Sequence, residues 1–244
     1  MNEPTSAPDP ASLKIKIFAD GAEVDAIRAA ARLPHIAGFT TNPTLMRKAG
    51  VDNYEQFGRE VISVVANKPV SFEVFSDDFD EMAQQAKKLA SWGDNVYVKI
   101  PVTNTLGVPS TELVRELTNE GIRVNVTAVF TLDQVRTVTK VLEGTRGAYV
   151  SIFAGRIADT GRDPLPLMIR ALETIQVFPA IELIWASPRE LLNIAQADEI
   201  GCDVITVTSD LLAKLHLFGK DLDEFSLETV QMFRRDATTV GYSL

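Results

Sequence analysis

Residues 70–100 read VSFEVFSDDFDEMAQQAKKLASWGDNVYVKI and contain two short apolar runs separated by an amphipathic segment. The runs Val70–Phe75 and Val96–Ile100 have the length of buried strands and are rich in Val and aromatic residues. Asp78–Trp92, between them, has apolar residues at helical spacing. The stretch therefore predicts two parallel strands joined by a helix in a right-handed crossover.

The same alternation extends over most of the chain. Six further apolar runs of strand length are Ile15–Ala19, Ile36–Phe39, Ile122–Val126, Ala148–Phe153, Glu182–Ala186 and Asp203–Val207. Helix-like segments lie between runs, and those at Asp52–Ala66, Leu132–Leu142 and Pro188–Ala197 have clear apolar spacing. Eight strands in 244 residues fit one closed (β/α)8 TIM barrel. An open doubly wound sheet competes, but no G-x-G-x-x-G follows the first strand.

The chain divides into three predicted regions. Residues 1–12 are polar and rich in proline, which favours a disordered tail, and residues 13–216 form the barrel. Residues 217–244 lie beyond the eighth unit and carry apolar side chains such as Phe225 and Phe233. We expect them to form a helical extension that packs on a neighbouring subunit or over its own barrel.

Composition excludes several classes of function. The 24 Lys and Arg against 33 Asp and Glu give a net charge of −9, which argues against a nucleic-acid binder. No apolar run approaches the roughly 18 residues of a membrane span, and the N-terminus does not resemble a signal peptide. The single Cys202 excludes a disulfide framework, and His35 and His216 lack metal-ligand spacing. We expect a cytoplasmic protein without a metal site or a membrane partner.

Polar residues recur near the carboxyl ends of the first seven predicted strands, where barrels place their active sites. They are Asp20, Thr40, Asn42, Glu73, Lys99, Asn125, Thr127, Ser151, Arg156, Ser187 and Arg189. A polar group that interrupts an apolar strand is costly unless it is paired or used. The recurrence at one end therefore predicts a single site.

Lys99 lies among apolar neighbours in VYVKIP, residues 96–101. Desolvation lowers the pKa of a lysine and favours the neutral amine, which can attack a ketone to form a Schiff base. The alternative is that Lys99 extends to solvent or pairs with Glu73. Asp20 and Glu73 are candidate general acid and base groups, or else a counter-ion and a loop cap.

Arg156, Ser187 and Arg189 follow strands six and seven. A guanidinium, a hydroxyl and a helix N-terminus capped by Ser187 together suit a phosphate group. The alternative is that they form surface salt bridges and a helix cap.

Six motifs in this order resemble the transaldolase family, including its small fructose-6-phosphate-aldolase-like branch. They are FAD (18–20), GFTTNPTL (38–45), VKIPVT (98–103), NVTAVF (125–130), SIFAGR (151–156) and ASPR (186–189). The resemblance covers nearly the whole chain after the tail. It implies a (β/α)8 barrel with a Schiff-base lysine and no metal or organic cofactor. It also implies rings of subunits, often two stacked pentamers, so we expect a homo-oligomer and, as its form, a decamer.

The resemblance assigns four catalytic roles. Lys99 resembles the Schiff-base lysine, and Asp20 resembles the acid/base that handles the proton of the hydroxyl beside the cleaved C–C bond. Glu73 and Thr127 resemble the pair that positions a catalytic water. Substrate-binding roles fall on Thr40, Asn42, Asn125 and Ser151 for the dihydroxyacetone part, on Phe153 beside them, and on Arg156, Ser187 and Arg189 for the phosphate. Pro188 occupies a place that is often aromatic in the family, so the phosphate loop is expected to differ in shape.

The expected activity is transfer of a dihydroxyacetone unit from a ketose phosphate, fructose 6-phosphate, to an aldose phosphate, erythrose 4-phosphate. The nearest rival is a fructose-6-phosphate aldolase. That branch carries Gln at the place of Glu73 and Tyr at the place of Phe153. Two further rivals are a transaldolase of specialised sugar metabolism with a different acceptor, and a barrel that only binds sugar phosphates. A binder has no need for a lysine inside an apolar strand, which disfavours the last.

Overall fold

A computed structural model describes residues 13–241, and the predicted N-terminal tail lies outside this range. Eight parallel strands pair in sequence order and close into a barrel, so the predicted (β/α)8 fold is confirmed. The strands are β1 (Lys16–Asp20), β2 (Ile36–Thr40), β3 (Val70–Glu73), β4 (Val96–Pro101), β5 (Val124–Val129), β6 (Ala148–Ile152), β7 (Ile181–Trp185) and β8 (Val204–Thr208).

Helices lie between the strands and after the last one. They are α1 (Val24–Ala31), α2 (Pro43–Lys48), α3 (Tyr54–Val65), α4 (Phe79–Ala90), α5 (Thr111–Asn119), α6 (Leu132–Val141), α7 (Ala154–Ala158), α8 (Leu165–Ile175), α9 (Leu192–Glu199), α10 (Ser209–Leu212) and α11 (Leu222–Val240). A 3-10 turn spans Leu215–Leu217. None of the helices in residues 13–241 is both long enough and apolar enough to span a membrane.

Strand β4 shows how the sequence positions the site. Val96, Val98 and Ile100 are buried, and their parity places them against the helices. Tyr97 and Lys99 alternate with them and therefore face the barrel interior. The interior residues form an aromatic layer towards the amino ends of the strands and a polar layer towards their carboxyl ends.

The aromatic layer closes the lower half of the barrel. The Phe18 and Tyr149 rings meet edge to face with centroids 5.5 Å apart, and the Tyr97 and Tyr149 centroids are 4.4 Å apart. A Cβ on Gly38 would lie 2.6 Å from the Phe18 ring, so β2 needs glycine there. These rings fill the interior beneath the polar layer.

Two predicted boundaries are wrong for identifiable reasons. The apolar pattern places the fifth strand at Ile122–Val126, but Ile122 N donates to Leu117 O at the end of α5, and the strand runs from Val124 to Val129. The helix expected at Pro188–Ala197 begins only at Leu192. Ser187 does not cap it, because its φ of 59° turns the chain into a loop.

The C-terminal helix α11 differs from the other long helices of the described chain, since no residue in it is buried. Asp221 caps its first turn by accepting from Glu224 N at 2.9 Å. Its apolar side chains, among them Phe233 and Val230, are exposed. Residues 222–240 of the predicted extension are therefore helical, and none of their side chains is buried against the barrel.

Candidate active site

A cavity of about 430 Å³ opens at the carboxyl ends of the strands. Eleven of the twelve predicted site residues line it, namely Asp20, Thr40, Asn42, Glu73, Lys99, Thr127, Ser151, Phe153, Arg156, Ser187 and Arg189. Asn125 is fully buried and is not among the lining residues. The structure thus gathers side chains from seven strands or their loops around one space.

Lys99 lies at the base of the cavity. Its side chain is almost completely buried, and Nζ lies 3.0 Å from Glu73 Oε2 and donates to Thr41 O at 3.0 Å. The pairing with Glu73 that the sequence left as an alternative is therefore present. It does not remove Lys99 from the site, because both residues line the cavity.

Asp20 lies beside this pair at the end of β1. Thr40 Oγ1 donates to Asp20 Oδ1 at 2.8 Å. Burial raises the pKa of the Asp20 carboxyl, although the positive charge of Lys99 and the bond from Thr40 oppose the shift. A carboxyl with a raised pKa next to an amine is suited to taking up and returning a proton.

Thr127 presents a buried hydroxyl to the cavity. Its Oγ1 has no hydrogen-bond partner among the described residues. The next residue, Ala128, has a φ of 59°, and the β5–β6 register shifts between Val126 and Val129. A bulge at this point re-aims neighbouring side chains and is typical of functional sites. An unpartnered buried hydroxyl is costly unless a bound molecule uses it.

The amide side chains have two different placements. Asn42 Oδ1 accepts from Leu45 N at 3.0 Å and caps α2, and Asn42 also lines the cavity. Asn125 Nδ2 donates to Ser71 Oγ at 3.1 Å, and its Oδ1 accepts from Ser151 Oγ at 2.7 Å. Asn125 therefore lies behind Ser151 and orients that hydroxyl.

Two arginines lie at the rim. The Arg156 guanidinium stacks over the Phe153 ring, with Cζ 5.2 Å from the centroid. Arg189 Nε donates to Asp159 Oδ1 at 2.9 Å, and this ion pair lowers the pKa of Asp159. Arg189 is thus a partner in a surface ion pair as well as part of the cavity wall. The helix N-terminus expected at Ser187 is absent from this rim, since α9 begins five residues later.

The loops after β6 and β7 touch closely at the rim. Gly155 N donates to Ala186 O at 3.3 Å. A Cβ on Gly155 would lie 1.5 Å from Ser187 O, so no other residue fits there without moving the loop. This contact fixes the spacing between Arg156 and the loop that carries Arg189.

The last strand also contributes to the cavity, which sequence reasoning missed. Thr206 and Thr208 of β8 line it, as do Thr44 and Leu45 from the start of α2. The sequence pattern could have identified Thr206 and Thr208 as site residues, because they are polar residues of one parity at the end of an apolar run.

Comparisons with known proteins agree with this architecture. The family model described as transaldolase/fructose-6-phosphate aldolase matches residues 17–244. A probable transaldolase of Methanococcus maripaludis (strain C5) is 37% identical over 205 residues, covering 82% of this chain and 89% of that protein. A probable transaldolase of Streptococcus equi subsp. zooepidemicus (strain MGCS10565) is 36% identical over 203 residues, covering 82% of this chain and 90% of that protein.

A solved structure named "Native KDPGal structure" superposes with a TM-score of 0.55 at 14% identity, covering 89% of this chain and 97% of the other. At that identity the likeness concerns the fold alone. The family match and the relatives, together with the cavity around Lys99, lead to one conclusion: the chain belongs to the transaldolase/fructose-6-phosphate aldolase family of enzymes.

Proposed function

We propose that the protein is a transaldolase that transfers a dihydroxyacetone unit through a Schiff base on Lys99. The observation that carries the proposal is the buried Lys99 amine at the base of the cavity, 3.0 Å from Glu73 Oε2. Glu73 accepts a proton from the ammonium, and the neutral amine attacks the ketone carbon of the donor. Loss of water from the resulting carbinolamine gives the Schiff base. Glu73 and the unpartnered Thr127 hydroxyl hold that water.

Asp20 handles the proton in the bond-breaking step. Its carboxylate takes the proton of the hydroxyl beside the C–C bond, the bond breaks, and its electrons pass to the Schiff base to give an enamine. The aldose phosphate leaves. The enamine then attacks the aldehyde of the acceptor, Asp20 returns its proton to the new hydroxyl, and water releases the product from Lys99.

Groups around the cavity support the proposed substrates. The Asn42 amide, the Thr40 hydroxyl and the Ser151 hydroxyl, which Asn125 orients, are placed to bind the hydroxyls of the three-carbon unit. Arg156, Ser187 and Arg189 form the proposed phosphate site at the rim. Fructose 6-phosphate as donor and erythrose 4-phosphate as acceptor fit a cavity with one set of groups for the three-carbon unit and another for the phosphate.

Borohydride trapping tests the nucleophile. Reduction in the presence of fructose 6-phosphate should add a three-carbon unit or the intact sugar to Lys99, as seen by mass spectrometry of peptides. Lys99→Arg should be inactive, because a guanidinium stays protonated. Labelling that persists in Lys99→Ala would remove Lys99 from the mechanism.

Transfer and simple release differ in the fate of the enamine. Phe153 carries no hydroxyl to donate a proton or to orient water, whereas a tyrosine there can do both. We expect efficient transfer to erythrose 4-phosphate and slow release of dihydroxyacetone without it. Phe153→Tyr, alone or with Glu73→Gln, should raise that release. If the unaltered protein releases dihydroxyacetone as fast as it transfers it, an aldolase activity replaces the transferase.

We also propose that the protein is a homo-oligomer, with a decamer as the expected form. The support is α11, whose Leu222, Phe225, Leu227, Val230 and Phe233 are exposed. So many exposed apolar side chains on one helix are typical of an interface. Light scattering on the full chain and on a chain ending at Lys220 tests this. A monomeric full chain contradicts it.

A further inference from the structure

The end of strand β3 lacks the hydrogen bond that its neighbour would ordinarily supply. Phe39 N donates to Pro69 O at 2.8 Å, and Thr41 N donates to Ser71 O at 3.1 Å. In a parallel ladder the next donor in this register belongs to residue 43. Residue 43 is proline, which has no N–H, so the carbonyl of Glu73 needs another donor.

Tyr54 supplies that donor. Its Oη donates to Glu73 O at 2.8 Å. Burial raises the pKa of the Tyr54 phenol, so the hydroxyl keeps its proton and remains a donor throughout the working pH range.

The Tyr54 ring is held firmly. It meets Phe72 and Trp92 edge to face, with centroids 6.3 and 5.8 Å away, and it packs against Phe75 at 5.8 Å. Tyr54 is also the first residue of α3, whose N-terminus is fixed by Asn53 Oδ1 accepting from Gln56 N at 2.9 Å. The hydroxyl is thus fixed by both the helix and the aromatic cluster.

We infer that Tyr54 is a positioning residue for the reaction, acting through the backbone of Glu73. Glu73 is the last residue of β3, and its Oε2 lies 3.0 Å from Lys99 Nζ. Without the Tyr54 bond the Glu73 carbonyl is unpaired and the strand end can shift. A carboxylate displaced by a fraction of an ångström no longer holds the proton and the water needed for carbinolamine formation. The inference rests on the proposed Schiff-base function of Lys99.

The test is Tyr54→Phe, with Tyr149→Phe as the matched control. Both substitutions remove one phenol oxygen from a mostly buried ring, but Tyr149 lies in the aromatic layer beneath the cavity and does not line it. The rate of borohydride-trappable Schiff-base formation with fructose 6-phosphate is measured in single turnover, and the melting temperature is recorded for each variant. We expect Tyr54→Phe to slow trapping about tenfold, while the fructose 6-phosphate concentration that gives the half-maximal rate changes less than about twofold. Tyr149→Phe should leave the rate unchanged.

A second background separates positioning from stability. In Glu73→Gln the carboxylate is gone, so adding Tyr54→Phe should slow trapping by less than about twofold, although the melting temperature falls as in the single variant. Equal slowing in both backgrounds, or equal slowing by the two Tyr→Phe changes, overturns the inference. Absence of trapping in the unaltered protein contradicts the proposed function instead, so the two failures are distinguishable.

Discussion

The two ends of the barrel interior are built from the same strands and the same parity, yet their chemistry is opposite. At the amino end, Phe18, Tyr97 and Tyr149 stack into a closed aromatic layer. At the carboxyl end, two positions further along β1 and β4, Asp20 and Lys99 line an open cavity. Parity alone therefore tells which residues face inward, and the position along the strand tells whether they stabilise the fold or contact a substrate.

The two ends also differ in how fully their polar and charged groups are paired. Arg123 stacks over the Tyr97 ring with Cζ 5.7 Å from the centroid, and Lys16 pairs with Glu182 near the same end. The carboxyl end holds a carboxyl whose pKa burial raises, Asp20, and a buried hydroxyl without a partner in the described chain, Thr127. These two groups lie in the cavity wall, where a bound substrate can use them.

Tyr149→Ala should produce the largest change in stability. The ring is almost fully buried against Phe18 and Tyr97, so its removal leaves a cavity and should lower the free energy of unfolding by about 3–5 kcal/mol. The kcat of the folded fraction should stay within about threefold, because Tyr149 does not line the substrate cavity. Urea unfolding and steady-state kinetics measure the two quantities. A loss of kcat without a loss of stability would contradict the division between the two ends.

Arg156→Ala should weaken binding at the carboxyl end without affecting the fold. If Arg156 binds the phosphate as proposed, loss of that charge-assisted hydrogen bond should weaken the binding of phosphorylated sugars by about 1.5–3 kcal/mol. The binding of an unphosphorylated donor should barely change. Arg162→Ala, a nearby change outside the cavity wall, is the control. Equal losses for both kinds of sugar would move Arg156 out of the phosphate site.

Asp20→Asn should give the smallest change in stability, a gain that depends on pH. The pKa of Asp20 is higher in the native protein than in the unfolded chain, where it is 3.8. The native carboxyl therefore stays protonated to a higher pH than the unfolded one. As a result, the free energy of unfolding falls as the pH rises from below 3.8 through the native pKa. Asparagine does not ionise. The variant should be inactive yet more stable than the unaltered protein at pH 7, and the gain should vanish at about pH 3. Thermal melts at both pH values measure it, and a variant less stable at pH 7 would show that the carboxylate stabilises the fold.

Much of the fold and site can be predicted from the sequence, because strand parity and the end-of-strand rule are strong. The alternation of residues 70–100 puts Glu73 and Lys99 late in neighbouring strands, and β3 and β4 do pair Glu73 with Lys99. The same rule applies to Thr206 and Thr208 at the end of the eighth strand, where the sequence prediction named no site residue.

What the sequence did not reveal depends on backbone geometry. The φ of Ser187 turns a serine that looks like a helix cap into a loop residue, and the φ of Ala128 produces the bulge in β5. Neither is a glycine, so no residue type signals the turn. The Arg189–Asp159 pair joins residues 30 positions apart and depends on how two loops meet.

The contact between Gly155 and Ser187 sets a rule for redesigning the enzyme. Libraries that aim at new acceptors would ordinarily vary every residue of the loops after β6 and β7. Any side chain at position 155 collides with the facing backbone. Variants at this position would therefore differ mainly because the loop is displaced, and not because the preference for the acceptor has changed. Diversity is better placed at Arg156, Pro188 and Phe153, whose side chains line the cavity and can change shape without separating the two loops.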